Sequence, residues 1–322
     1  MYSPYLYGRD AELAAIVARS TDFGAPQQIV PVLEPALRPD GDVTRYVNKL
    51  TRSLDALKAN GAVAYVVANP DVGRFQDPTI RAQWLAGMAQ PLGDPGSTRP
   101  TFKVRAGATT KAVSAFAGAH PGRDLGIVVA NERTLPAAHL AGALTGRDVV
   151  VFLLPNVDSA DFVAAFGSSK VVRVMDNFAA QVRNADYSGS ELFANNHLTH
   201  TASGLGGFAD FTVLPPTVSF SGGRTGAAVV HLTFEESNQD FWVEHFVSDE
   251  TDVAQGTFQS KLLEALAHLH GVLTSNPHRF VASPALADYA AQLTSGNATS
   301  QGKNKQLQIE HHLFLVARHL RL

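Results

Sequence analysis

His231, Thr233 and Glu235 recur at every second position of an otherwise apolar stretch, residues 227–235. Successive side chains of a strand point to opposite faces. The three polar groups therefore share one face, and Val230, Leu232 and Phe234 take the other. The same split occurs in Phe102-Lys103-Val104-Arg105 and in Ala209-Asp210-Phe211-Thr212-Val213. Lys103 and Arg105, with Arg173 as a third cation, suit a phosphate or carboxylate, Arg as a planar fork and Lys as a point charge. Arg173, however, faces away from Val172, Val174 and Asp176. Glu34, Asp176 and Asp210 suit a hard divalent cation, Mg2+ or Mn2+, or general acid and base work, and His231 suits a proton shuttle. Asn69, Asn131, Glu235 and His245 are the candidate substrate contacts. The competing reading is a polar core whose charges satisfy one another, since unpaired burial costs several kcal/mol per group.

Such convergence needs separate strands held in register. Residues 29–35, 62–68, 101–105, 125–130, 148–154, 170–175, 209–214 and 227–234 read as eight strands. Helical patterns follow six of them, at 42–60, 77–88, 110–117, 136–144, 159–166 and 179–185. The clearest is 42–60, where Val43, Tyr46, Val47, Leu50, Leu54 and Leu57 form one stripe and Gly61 stands at the C-terminal cap. Strands alternating with helices imply parallel pairing, and eight strands close a (β/α)8 barrel. The expected fold is thus α/β, a (β/α)8 TIM-barrel-like domain over residues 1–275 with a C-terminal helical extension over 276–322. Residues 215–226 are short and glycine-rich for a parallel crossover, which predicts an irregular connection between the seventh and eighth strands.

In a barrel the apolar strand face packs under helices. That sends Lys103, Arg105, Asp210, Thr212, His231, Thr233 and Glu235 inward. Glu34, Asn69, Asn131, Glu132, Asn156, Asp176 and Asn177 then lie at strand C-terminal ends, where such barrels build active sites.

Other signals are more local. His197-x-x-His200 has metal-ligand spacing inside a long polar segment, 187–207, with no third ligand beside it. His245 and Asp249 follow the last strand and could join the mouth. Gly222-Gly223-Arg224 occupies the region where many barrels bind phosphate. On the last helix His312 joins the stripe of Ile309, Leu313 and Val316, the position of a core-edge histidine. No P-loop, Rossmann fingerprint, Gly-x-Ser-x-Gly elbow or His-Glu-x-x-His occurs. A net charge of −3 gives no general attraction to nucleic acid or to an anionic membrane. With no cysteine, a disulfide framework and thiolate metal sites are excluded. The N-terminus lacks the charged-then-apolar order of a signal peptide, and no run reaches the ~18 apolar residues of a membrane span. A cytoplasmic location is the expectation.

The opening MYSPYLYGRDAEL, then IVPVLEP, VVANP, GFADFTVLP, AVVHLTF followed by HFVSD, and IEHHLFLVARHL together resemble a family of bacterial and phage-associated proteins related to the phage beta protein group. The resemblance implies a barrel-like α/β fold, carriage on prophages and mobile elements, and a neighbouring gene for a small nuclease-like protein. It implies no activity. Its motif positions here are Glu34, Asn69, Asp210, His231, His245, Asp249 and His312. Two functions follow from the whole reading. One is a barrel hydrolase or lyase acting on an anionic or phosphorylated substrate at the mouth, with divalent-metal assistance. The other is a non-catalytic binding protein serving a phage-defence or mobile-element module through a nuclease-like partner.

Overall fold

Short apolar runs bounded by proline, glycine and asparagine build a ring of parallel strands. The computed structural model describes residues 1–24, 29–131, 135–220 and 225–321, so Glu132 and Gly222-Gly223-Arg224 lie outside the described residues. The strands of the ring are β1 (Tyr5–Leu6), β2 (Val32–Leu33), β3 (Ala64–Val67), β4 (Thr98–Val104), β5 (Leu125–Val129), β6 (Val149–Leu153), β7 (Val171–Met175) and β9 (Gly207–Asp210). They pair in chain order, all parallel. Tyr2 closes the ring by bridging both Ile29 and Phe208. There the Ser3 N–H donates to the Phe208 carbonyl and the Phe208 N–H to the Met1 carbonyl, each at 3.0 Å. This is a (β/α)8-type barrel.

Two compact units make up the chain. The first, Met1–Arg9, Phe23–Asp176 and Asn196–Phe211, contains the entire ring. The second is Asp10–Asp22, Asn177–Asn195 and Thr212–Leu322. The boundary expected at residue 275 falls inside this second unit.

Eight strands were expected, and the ring has eight, but they are not the same eight. Residues 227–234 are not a barrel strand; the N-terminal residues supply β1 instead. Two residues of ladder are too few to leave a readable pattern. The stretch 179–185 is not an α-helix; only a 3-10 turn, Asn184–Asp186, overlaps its end. The long polar segment 187–207 is in fact structured, holding β8 (Ser190–Ala194) of the second unit and α8 (Asn196–Thr199) of the first. The irregular crossover before the last barrel strand therefore exists, but between β7 and β9.

Helices of the first unit cover the outer strand faces. α2 (Val43–Ala59) starts where the Asp42 carboxylate accepts from the Arg45 N–H at 2.7 Å, and it ends at Asn60 with Gly61 at φ 70° just beyond. α3 (Pro78–Gly87) and α4 (Ala89–Gly93) follow β3. α5 (Thr110–Ala119), α6 (Ala137–Ala143) and α7 (Ala160–Phe166) bury Val113, Leu140 and Phe162 against Val104, Ile127, Val129, Val151, Leu153 and Val171. The opposite faces of these strands fill the ring. Tyr65 and Phe152 meet edge to face at 4.8 Å, and Arg99 donates to the Tyr65 hydroxyl at 2.9 Å. Gly126 makes the room. A Cβ there would lie 2.7 Å from Tyr65 Cδ1 and would collide with the Thr101 hydroxyl.

In the second unit β8, β10 (Val229–Glu235) and β11 (Phe241–Val247) form an antiparallel sheet in the order β8-β11-β10. Val230, Leu232 and Phe234 pack against Leu262, Leu266 and Leu269 of α9 (Phe258–Ser275) and Leu286 of α10 (Pro284–Ser295). α11 (Gln301–His319) closes the free edge of β10. Asn304 and Gln308 donate to the Val229 carbonyl at 2.9 and 3.1 Å, and His311 Nε2 donates to the Thr233 carbonyl at 2.8 Å. α1 (Asp10–Ala18) packs on α11. Among the described residues no helix is long and apolar enough to cross a membrane.

Gly126→Ala should destabilise the protein by roughly 1–3 kcal/mol through overpacking of the ring. Gly118→Ala, on α5 with nothing within 4 Å of the added carbon, should be neutral or stabilising by up to about 1 kcal/mol. Urea unfolding midpoints of the two variants decide whether the interior is filled as described.

Candidate active site

The inward positions of adjoining strands meet at their C-terminal ends. Tyr5 on β1 is level with Val32 on β2, and the Glu34 N–H donates to the Leu6 carbonyl at 2.8 Å, which extends the pairing by one step. Glu34 therefore shares the inner face with Tyr5. It has no solvent exposure. Tyr5 donates its hydroxyl to Glu34 Oε2 at 2.5 Å, and Lys103 Nζ lies 2.5 Å from Oε1. The alternation in β4 that places Phe102 and Val104 under the helices turns Lys103 to this side.

Asp71, beyond β3, extends the network. Its Oδ1 is 3.4 Å from Lys103 Nζ and its Oδ2 is 2.6 Å from Arg105 Nη1. The Arg105 contact is an ion pair rather than a well-directed hydrogen bond. Asn69 locks the backbone that carries Lys103, accepting from its N–H at 2.8 Å and donating to its carbonyl at 2.9 Å. An aromatic wall completes the site. Phe211 meets Tyr5 at 5.3 Å and stacks on Tyr7 at 6.2 Å.

The two carboxylates are driven apart electrostatically. Burial pushes the Glu34 carboxyl above its ordinary value, outweighing the stabilisation of its charge by Lys103 and Tyr5. Burial acts on Asp71 in the same sense, but there Lys103 and Arg105 together prevail and hold it below the usual range. The Tyr5 hydroxyl is driven far up, first by burial and then by the Glu34 charge, so it remains a donor. A pair of titratable groups pushed in opposite directions is the pattern that separates acid and base roles. Here burial favours the protonated form of Glu34, and the two cations favour the ionised form of Asp71.

Glu34, Asn69, Lys103 and Arg105 thus come together, and the other expected site residues do not join them. Asp210 faces outward, not inward. It shares a face with Phe208, whose register partner Arg173 is exposed, and it accepts from the Tyr2 hydroxyl at 2.7 Å. Asp176 is exposed at the end of β7, its carboxyl raised by partial burial, and Asn131 is exposed after β5. Glu34, Asp176 and Asp210 are consequently not assembled as ligands for Mg2+ or Mn2+. Among the described residues no three His, Asp or Glu side chains gather in a way that could hold a metal.

His231, Thr233, Glu235 and His245 belong to the sheet of the second unit, not to a barrel strand, and Thr212 also falls in that unit, at φ 57°. His231 and His245 are register partners with their Nδ1 atoms 2.7 Å apart, and His245 Nε2 is 3.2 Å from Glu191. Two neutral rings satisfy this chain if His245 donates to Glu191 and accepts from His231. Burial pushes His231 well below its ordinary value, helped by His245 and Lys305. The rings of Phe178 and Tyr187 cover it, at 4.9 and 4.6 Å. Glu235 pairs with His319 at 2.9 Å, and Thr233 Oγ1 lies 3.2 Å from His312, which is fully buried. Asp249 pairs with His268 at 3.3 Å on the surface. His197 and His200 are linked by a turn contact, His200 Nδ1 to the His197 carbonyl at 3.0 Å.

Tyr5, Tyr7, Asp71 and Phe211 were not singled out from the sequence. Tyr5-Leu6-Tyr7 carries the alternation of a half-polar strand, and Asp71 stands two residues beyond Asn69, across a proline. The first is too short to be read as a strand by itself, whereas the second was there to read. No family model matches the sequence, and the comparison with curated proteins found no match. Among solved structures, the spore cortex-lytic enzyme SleL of Bacillus cereus aligns over 96% of this chain and 74% of its own at 9% identity, with a TM-score of 0.32. So distant a likeness adds nothing to the strand register, which defines the barrel by itself.

The buried histidines make stability depend on pH. Burial lowers His311 from 6.5 to about 4, so the folded state holds a neutral ring. Above pH 6.5 its full contribution is present. As pH falls from 6.5 towards 4 the unfolded chain binds the proton first, and roughly 3 kcal/mol is lost. His311→Gln should be less stable than the parent at pH 7, with the gap narrowing by about that amount at pH 4. Urea melts of both proteins across this range test it; a gap that stays constant would refute the assignment.

Proposed function

We propose that the first unit is a barrel enzyme, a hydrolase or lyase, that acts at the mouth of its ring on a small anionic substrate. One observation carries the reading. Lys103, on β4, and Arg105, just past its end and two positions on, bracket a single carboxylate, that of Asp71. Two cations set to grip one planar anion present a binding geometry at the strand ends, where barrels of this class place their chemistry.

Arg105 has capacity to spare. Only Nη1 is engaged, its side chain is 33% exposed, and Nε and Nη2 meet no protein acceptor among the described residues. A guanidinium edge of this kind takes a carboxylate or phosphate through parallel hydrogen bonds. Lys103 supplies a second positive charge to the bound anion. Glu34, raised by burial, gives and takes the proton, and Tyr5 fixes its orientation through the opposite oxygen.

The experiment is a phosphate titration of thermal stability at constant ionic strength, with chloride as the control. A ligand that binds only the folded state raises the melting temperature with concentration. The parent protein should respond, and Arg105→Gln, still folded by circular dichroism, should lose the response. An equal response from both proteins removes the mouth as an anion site.

A further inference from the structure

We propose that Lys103 is an imine-forming lysine and that the substrate is a 2-oxo acid, a small carbonyl compound with its carboxylate next to the carbonyl. The inference rests on the mouth being the anion site and goes further by naming the reacting atom and the substrate class, which selects the lyase over the hydrolase.

Three features of the site lead there. The first is the setting of the amine. Lys103 is 12% exposed, its stem lies inside the ring, and Nζ is held 2.5 Å from a carboxylate oxygen that no water reaches. A lysine placed only to attract anions gains from exposure; one that must become a nucleophile gains from a dry site with a proton acceptor in contact. The second is Glu34. Burial raises its affinity for a proton while Asp71 is held below the usual range, so of the two carboxylates in contact with Lys103 it is the better proton acceptor. The third is Asp71, which shows in the protein's own atoms that one planar carboxylate reaches both Lys103 and Arg105. A substrate carboxylate on the free edge of Arg105 sets an adjacent carbonyl towards Nζ.

The step balances without any further reagent. Glu34 takes one proton from the Lys103 ammonium, and the freed nitrogen pair attacks the carbonyl carbon. As the C–N bond forms, the C=O pair moves onto oxygen, which takes the proton back from Glu34. The nitrogen then gives Glu34 a second proton. The hydroxyl receives it and leaves as water while the nitrogen pair closes the C=N bond. One ammonium and one carbonyl become one iminium and one water, and Glu34 begins and ends ionised. The positive charge stays on the same nitrogen, between Glu34 and Asp71, so the two carboxylates that hold the ammonium also hold the product. An iminium draws electrons from the neighbouring carbon, which is what a lyase step beside a carbonyl requires.

The test is reductive trapping. The full-length protein is incubated near neutral pH with pyruvate, and in parallel with glyoxylate, in the presence of cyanoborohydride, which reduces iminium ions. Labelling is then followed by peptide mass mapping. The reduced adduct should accumulate on Lys103 roughly tenfold or more faster than on Lys111, an exposed lysine on α5. Glu34→Gln should slow labelling of Lys103 by about tenfold or more while leaving Lys111 unchanged. If that variant fails to fold, the ratio of the two lysines in the parent protein still decides. Labelling of Lys103 no faster than Lys111 overturns the imine. When the phosphate response persists in that case, the imine alone falls; when the phosphate response is missing too, the mouth falls with it.

Discussion

A carboxylate sealed inside a ring of sheet is the constraint to which the rest of the first unit answers. Glu34 has no access to water, and an unpaired ionised carboxylate in such a place would cost several kcal/mol. Tyr5 from β1 and Lys103 from β4 satisfy one oxygen each. The residue types therefore depend on one another across long stretches of chain. Tyr5 must carry a hydroxyl. Lys103 must reach inward, which requires the β4 alternation to run in one phase only, and Asn69 must hold the Lys103 peptide in place beyond the last paired residue of β3. A slip of one residue in β4 would turn Lys103 under the helices and leave Glu34 unpaired.

The second unit meets the same difficulty by a different means. Its buried polar groups are mostly neutral and serve the backbone. β10 is an edge strand whose outward carbonyls would otherwise be buried without donors. Asn304, Gln308 and His311, spaced along one side of α11, donate to Val229 and Thr233. A helix that covers a sheet edge in this way both satisfies the strand and blocks its pairing with another chain. The polar stripe of α11 is thus part of a core, and His311 there is held as a neutral ring.

This difference decides what could be read from the sequence. Parallel strands of four or five buried residues, such as 125–129 and 149–153, announce themselves, as does α2 with its apolar stripe and Asp42 cap. The inward turn of Lys103 follows from β4 alone. The alternation of His231, Thr233 and Glu235 is just as regular, and it does mark a strand with two unlike faces. Its meaning depends on what covers the polar face, a barrel interior or a helix offering amides and imidazoles, and a periodicity of two contains no information about that. β1 escaped because two residues cannot show a period, although Tyr5 and Tyr7 bracket Leu6. Asp210 was misplaced by parity: its neighbours Ala209 and Phe211 are apolar, but in this barrel those two face inward and Asp210 turns out to meet Tyr2. Partner choice across the ring, from Tyr2 to Asp210 and from Tyr5 to Glu34, is set by closure, which no local window contains.

Charge balance at the mouth bears on the anion site proposed there. Glu34 and Asp71 stand against Lys103 and Arg105, so the four charges cancel when Glu34 is ionised. Such a cluster projects little field into solvent and cannot gather anions from a distance as an uncompensated basic patch does. Selection has to occur at contact range. In the proposed reading an anionic ligand meets the unused edge of Arg105 at short range. In the proposed imine step, movement of a proton from Lys103 to Glu34 leaves two neutral groups beside the Asp71–Arg105 pair, and the iminium then restores the positive charge on the Lys103 nitrogen without importing a counter-ion. The same balance that forfeits long-range attraction is what lets charge be rearranged in a buried place at low electrostatic cost.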